Sequence, residues 1–195
     1  MGKIYYMMGM SAAGKDSIFR ELCRRLPGLR TVALYTTRPP REGETHGREY
    51  FFVSEDTLEM YAQKGRIIEL RTYNTVHGAW KYATIDDGQV DLSKADYLMI
   101  GTLESYDRLR AYYGEGALVP LYIEVEDGER LGRALARERQ QAQPRYAEMC
   151  RRFLADLEDF SEENLLQAGI TRRYHNNDQT ECVEEIIGEI QNEQL

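Results

Sequence analysis

An α/β fold with a mainly parallel central sheet is what this sequence predicts, and three observations predict it. Short apolar runs alternate with amphipathic stretches of helical period along most of the chain, the rhythm of strands wrapped by helices. The first apolar run, Ile4-Tyr5-Tyr6-Met7-Met8, leads into Gly9-Met10-Ser11-Ala12-Ala13-Gly14-Lys15-Asp16-Ser17, a loop of small residues that opens a helix. Between residues 36 and 87 the rhythm changes to short strand-like pieces rich in Tyr, Gly and Arg. That reads as an inserted subdomain.

The elements follow in order. A strand covers Ile4–Met8 and a helix runs from Lys15 to about residue 26, with a strand at 31–35. The insertion at 36–87 carries one helix near 56–64. Strands at Tyr97–Ile100 and 118–125 alternate with helices at Leu103–Tyr113 and 127–141. One helix is expected over 146–166, a last strand over 171–175 and a last helix over 179–191. The segment 133–152 combines many arginines with Gln140-Gln141-Ala142-Gln143-Pro144, and reads as a mobile lid. No internal repeat or disordered linker interrupts the chain, so residues 1–195 are expected to form one domain.

Composition narrows the function classes. With 195 residues, 42% of them hydrophobic, the chain can fill one core with length to spare for insertions. A formal net charge of -8 argues against a general nucleic-acid binder and suits small anionic ligands held by local arginines. Cys23, Cys150 and Cys182 are odd in number and lack metal-ligand spacing, so reduced thiols and a cytoplasmic location are expected. The first apolar run is too short to span a bilayer, no signal-cleavage region follows it, and no myristoylation pattern is present. No membrane anchor is expected.

The loop Gly9 to Ser17 has the composition of a phosphate-binding loop, as in P-loop NTPases. Small residues let successive backbone N–H groups converge on phosphate oxygens, the following helix offers its positive end, and Lys15 reaches the β- and γ-phosphates of a nucleoside triphosphate. Gly9, Met10, Ser11, Ala12, Ala13, Gly14, Lys15, Asp16 and Ser17 are therefore the candidate ATP-binding residues. The usual hydroxyl directly after the lysine is replaced by Asp16, with Ser17 next. Asp16 either holds magnesium through water or caps the helix start while phosphates and waters complete the metal's shell. Either way, nucleotide binding is expected to depend on Mg2+.

A second motif is independent of the first. In Thr36-Thr37-Arg38-Pro39-Pro40-Arg41-Glu42-Gly43-Glu44, followed by Gly47 and Tyr50, Arg38 and Arg41 offer planar donor forks suited to a phosphate monoester, and Tyr50 adds a hydroxyl. This segment closely resembles the monophosphate-binding segment of guanylate kinases, and it follows the phosphate loop in the same order. The resemblance extends to Ile68-Glu69, to Tyr82-Ala83-Thr84 and to Asn176-Asn177-Asp178. It implies that Glu69 accepts from guanine N1–H and the 2-amino group, Thr84 donates to O6, Tyr82 joins the phosphate contacts and Asn176 lies near the adenine of ATP. His77 and Trp80 receive no assignment.

The resemblance has gaps. Guanylate kinases carry Asp-x-Asp after the central strand, where this chain reads Leu98-Met99-Ile100-Gly101-Thr102. The serine before their Thr-Thr-Arg is also replaced, because this chain reads Leu34-Tyr35-Thr36. The Gly-Thr segment and the Lys-Asp-Ser loop ending resemble ribose 1,5-bisphosphate phosphokinases instead. The function implied is ATP plus GMP giving ADP plus GDP. An anionic acceptor needs positioning and charge stabilisation and no protein nucleophile; Lys15 is the candidate catalytic cation of the loop, and the resemblance implies Arg137, in Arg133-Ala134-Leu135-Ala136-Arg137, and Arg152 as the catalytic lid arginines. The alternatives are a kinase for another small phosphate acceptor, such as a phosphoribosyl compound, and a non-catalytic guanylate-kinase-like binding module.

Overall fold

The computed structural model describes residues 2–75 and 78–193; His77 lies outside them. Its centre is a sheet in the order β2-β7-β1-β8-β9, built from β1 (Ile4–Met8), β2 (Arg30–Thr31), β7 (Tyr97–Ile100), β8 (Leu118–Glu124) and β9 (Tyr174–His175). Every pairing in it is parallel. All five residues of β1 are buried, as a strand covered on both faces must be. Ile4, Tyr6 and Met8 face a core that includes residues of α3 (Leu103–Tyr113) and α6 (Glu162–Gln167). Tyr5 and Met7 face the opposite core with α1 (Lys15–Arg25) and α7 (Gln179–Glu193). The period-two alternation of one pentapeptide thus anchors both layers of helices.

The insertion forms its own sheet, β4-β3-β6-β5, from β3 (Leu34–Thr36), β4 (Tyr50–Phe52), β5 (Ile67–Thr75) and β6 (Gly78–Ile85). Here β3 and β4 run parallel, while β3–β6 and β5–β6 are antiparallel. Its small core joins Tyr35, Ala83 and Ile85 to Leu58 of α2 (Glu55–Gln63). Ser54 starts α2 by accepting the N–H of Thr57.

Two elements expected as single are divided, and the last strand, expected over 171–175, is limited to Tyr174–His175. The strand at 31–35 divides into β2 and β3, which belong to different sheets, because the Gln89 side chain takes over both backbone groups of Ala33 at the crossing. The helix expected at 146–166 is two, α5 (Tyr146–Asp159) and α6, because buried Phe160 ends one and Ser161 caps the next through the N–H of Asn164. The arginine-rich segment 133–152 comprises the second half of α4 (Asp127–Arg139), a turn, and the first half of α5. Glu138, itself buried, fastens that turn by accepting from Arg145 N and Gln141 Nε2.

Candidate active site

The phosphate loop sits at the carboxyl end of β1, where the sheet order turns from β7 on one side to β8 on the other, the crevice that open α/β sheets present to ligands. Its course depends on glycine. Gly9 has φ 151° and Gly14 φ 88°; a Cβ on Gly9 would lie 2.4 Å from the Ile123 carbonyl, and one on Gly14 would lie 2.3 Å from Asn176 Nδ2. Ala12, at φ 64°, takes a left-handed conformation that costs an alanine about 1 kcal/mol or more. Lys15 folds back over the loop and donates to the carbonyls of Gly9 (2.6 Å) and Met10 (2.8 Å). Burial lowers its pKa, an effect that Asp156 and Asp16 oppose. Asp16 is exposed in the first turn of α1, where its charge complements the helix dipole.

Asn176, expected beside adenine, is 4% exposed and donates its amide to the Ala13 carbonyl at 2.7 Å. It braces the loop from behind. Two further residues fasten the loop and carried no sequence assignment. Asp156 of α5 accepts the Ser11 N–H at 2.7 Å, and Arg130 of α4 donates to the Ser11 carbonyl at 3.2 Å. Arg130, 1% exposed, also pairs with Asp127 and lies over the Phe153 ring at 4.3 Å. Both sit in charge-rich helices; the only sequence signal for Arg130 is its i,i+3 relation to Asp127.

Arg38, 3% exposed, follows β3 and lies over the rings of Tyr50 (5.1 Å) and Phe52 (5.5 Å). Its two terminal nitrogens each donate to Glu44 at 2.7 Å. Those bonds hold the Glu44 carboxyl at a pKa of about 2, well below its ordinary 4.5. Arg38 Nε, by contrast, is buried with no partner, a state that costs roughly 1–3 kcal/mol and suits an incoming anion oxygen. Tyr82 packs edge-on against Tyr50 with ring centroids 5.8 Å apart, in the same recess. Arg41 is exposed, its backbone N–H held by Glu44.

Glu69, on β5, is 4% exposed. Its Oε1 accepts from the Thr84 hydroxyl at 2.9 Å, so Thr84 spends on Glu69 the donor that was expected for guanine O6. Arg71, two residues along the same strand face, donates to Glu69 through Nε at 2.9 Å and Nη2 at 3.3 Å. Nη1 of Arg71 reaches the Thr102 hydroxyl at 3.2 Å. An acid has no room at position 101: a Cβ there would lie 1.9 Å from the Tyr6 hydroxyl, which is bonded to Ser105.

One cavity, of about 630 Å³, brings separate segments together: Ser11 of the loop, Arg41 of the insertion, and Arg137 and Arg152 of α4 and α5 line it. Arg137 is exposed, and Arg152 donates to Glu148 at 2.8 Å.

The family model for guanylate kinase matches residues 1–148. The chain belongs to the guanylate kinase family. A guanylate kinase of Nostoc sp. is 31% identical over 151 residues, 72% of this chain and 74% of that protein. The guanylate kinase of Geobacter metallireducens is 39% identical over 77 residues, and that of Ruegeria pomeroyi 41% over 68 residues. In these two alignments the chain spans about a third of the relatives' length, 36% and 32%. The crystal structure of guanylate kinase from Anaplasma phagocytophilum shares the fold, with a TM-score of 0.66 and 18% identity over 100% of this chain and 87% of that one. The architecture is therefore the P-loop fold of guanylate kinases, and Arg71, Arg130 and Asp156 are the site residues that the motifs did not reveal.

Proposed function

We propose that this chain is an ATP-dependent guanylate kinase that transfers the γ-phosphoryl group to GMP and releases ADP and GDP. The observation that carries this reading is that Ser11, Arg41, Arg137 and Arg152 line one common cavity, since phosphoryl transfer requires a triphosphate loop, an acceptor-anion site and stabilising cations to meet in one space. The loop N–H groups and Lys15 bind the polyphosphate. Arg38, with its unpaired Nε, together with Arg41, Tyr50 and Tyr82, takes the phosphate monoester. Arg137 and Arg152, on the lid segment 133–152 beside the monophosphate-binding insertion 36–87 of one domain, place positive charge on the equatorial oxygens of the transferring group.

Magnesium fits as a companion of ATP. Among the described residues no three His, Cys, Asp or Glu side chains cluster; Asp16 and Ser17 are the side-chain oxygen donors that directly follow Lys15, a set suited to a metal that keeps phosphate oxygens and waters as most of its ligands. When bound, it supplies charge neutralisation on the β- and γ-phosphates. The free thiols of Cys23, Cys150 and Cys182 fit a reducing, cytoplasmic setting, and among the described residues no helix is long and apolar enough to cross a membrane. Steady-state transfer from ATP across GMP, dGMP, AMP, UMP and a phosphoribosyl acceptor tests the proposal. GMP is expected to be used best. Preference for the phosphoribosyl compound, or binding of GMP without turnover, would overturn it.

A further inference from the structure

The base pocket holds a side chain that the proposed reading has not used. Arg71 is largely buried, and it is locked between Glu69 and Thr102. A guanidinium has five N–H donors, of which three are engaged here, on the two Glu69 oxygens and on Thr102. Two remain for a ligand. We propose that Arg71 is a specificity-determining residue of the acceptor pocket, and that it donates to guanine O6 while Glu69 accepts from N1–H and the 2-amino group. This inference rests on the reading of the site as a GMP site.

Donor and acceptor accounting supports it. Along its Watson–Crick edge guanine shows an acceptor, O6, followed by two donors, N1–H and the amino group. Its complement is one donor followed by two acceptors. Thr84 cannot supply that donor while its hydroxyl proton lies on Glu69 Oε1 at 2.9 Å. Arg71 is the adjacent donor. An ionised carboxylate offers about four acceptor positions; Arg71 fills two and Thr84 one. The 3.3 Å contact from Arg71 Nη2 is the weakest of these. If Nη2 swings from Glu69 to O6, Glu69 keeps Arg71 Nε and Thr84, and its two open positions, one vacated and one already empty, match the two guanine donors. Adenine in the same orientation places an amino group against Arg71 and a bare N1 against Glu69. Like then faces like at both positions.

Thr102 explains how the arginine is aimed. Its hydroxyl accepts from Arg71 Nη1 and also belongs to the capping box of α3 with Ser105, so the arginine is tied to the rigid start of a core helix. Thr102 thus gives the guanidinium a neutral partner. An acid in place of Thr102 would compete with Glu69 for it.

The test is the ratio of kcat/KM for GMP, IMP and AMP in wild type, Arg71→Met, Arg71→Lys and Glu69→Gln, with the KM for ATP as a control. IMP keeps O6 and N1–H and loses only the 2-amino group. Arg71→Met is expected to lower efficiency with GMP and IMP by the same factor, about 10- to 100-fold, to collapse the GMP:AMP ratio and to leave the KM for ATP unchanged. Glu69→Gln is expected to lower GMP more than IMP. Arg71→Met strands the buried Glu69 charge, so Arg71→Lys, which keeps the charge but not the planar fork, covers the case of a variant that does not fold; it is expected to lose GMP:AMP selectivity about tenfold. A wild-type GMP:AMP ratio in Arg71→Lys, or in a folded Arg71→Met, would overturn this inference alone. Absence of GMP transfer in the wild type would overturn the underlying reading instead.

Discussion

Asn176→Ala separates two roles for one side chain. In the structure the amide donates to the Ala13 carbonyl at 2.7 Å from a position 4% exposed, and it touches Gly14 closely enough that a Cβ there would lie 2.3 Å from Nδ2. Truncation removes one buried hydrogen bond and leaves the Ala13 carbonyl facing a small cavity, together about 3 kcal/mol. For a chain of this length that corresponds to a fall in Tm of about 6–12 °C without any nucleotide. The backbone N–H of Asn176 still bonds to Glu124 and its carbonyl to Arg133, so the end of β9 stays in place and the damage is confined to the loop. Thermal unfolding followed by circular dichroism, with calorimetric titration of ATP and of inorganic tripolyphosphate, reads the outcome. A brace behind the loop weakens both ligands equally; a contact to adenine weakens only ATP and leaves the unliganded Tm alone. An unchanged Tm with a loss confined to ATP would refute the bracing argument.

Three other substitutions have defined outcomes. Lys15→Ala is expected to lower kcat by roughly a hundredfold or more while the far-ultraviolet spectrum is retained, because the cation acts on charge that develops during transfer; near-normal turnover in a folded variant would disprove that role. Arg38→Ala is expected to weaken GMP binding and destabilise the insertion, since Glu44 loses its buried partner, whereas Arg41→Ala, at an exposed position, is expected to weaken GMP binding with little change in Tm; equal losses for ATP in either variant would argue against a separate acceptor site. Glu44 also sets a pH dependence: its carboxyl protonates near 4.5 when free and near 2 when paired with Arg38, so its contribution is present in full above pH 4.5 and is lost as pH falls toward 2. Urea midpoints measured from pH 7 to pH 3 should fall less steeply for Glu44→Gln than for wild type, and parallel curves would contradict the assignment.

What could be read from the sequence was the chemistry carried by local spacing. The strand, loop and helix from Ile4 to Arg25 follow from apolar run, glycine positions and lysine, all within one stretch of chain. Strand Tyr97–Ile100 and helix Leu103–Tyr113 keep their expected limits because Thr102 and Ser105 form a capping box between them. Helix periodicity runs straight through Phe160, so the break between α5 and α6 depends on Phe160 packing against Tyr122 of β8, a contact between residues far apart in sequence. Arg71, Arg130 and Asp156 were hidden for the same reason. In a chain with 30% charged residues an arginine on a helix or strand reads as solvated, and only tertiary placement reveals that Arg130 is 1% exposed. The alternation that puts Arg71 on the same strand face as Glu69 was the one available signal.

Four arginines of this site are held in a common way. Arg38 is paired with Glu44, Arg71 with Glu69, Arg130 with Asp127 and Arg152 with Glu148. In an acidic protein these pairings keep the charges of the buried Arg38, Arg71 and Arg130 compensated, which removes the several kcal/mol that an uncompensated buried charge would cost. Ligand binding is then an exchange, in which a phosphate dianion or a base edge competes with a resident carboxylate for the same donors. Exchange lowers net affinity but sharpens choice, because a ligand that cannot offer as many acceptors as the carboxylate it displaces leaves donors unpaired. Arg38 is poised differently from the rest: its outer fork is held by Glu44 while its buried Nε has no partner, so on the proposed reading a phosphate oxygen that reaches Nε does not have to displace Glu44. On the proposed reading the monoester site is pre-organised by Glu44, whereas the base site selects among acceptors through the exchange of an Arg71 donor between Glu69 and O6.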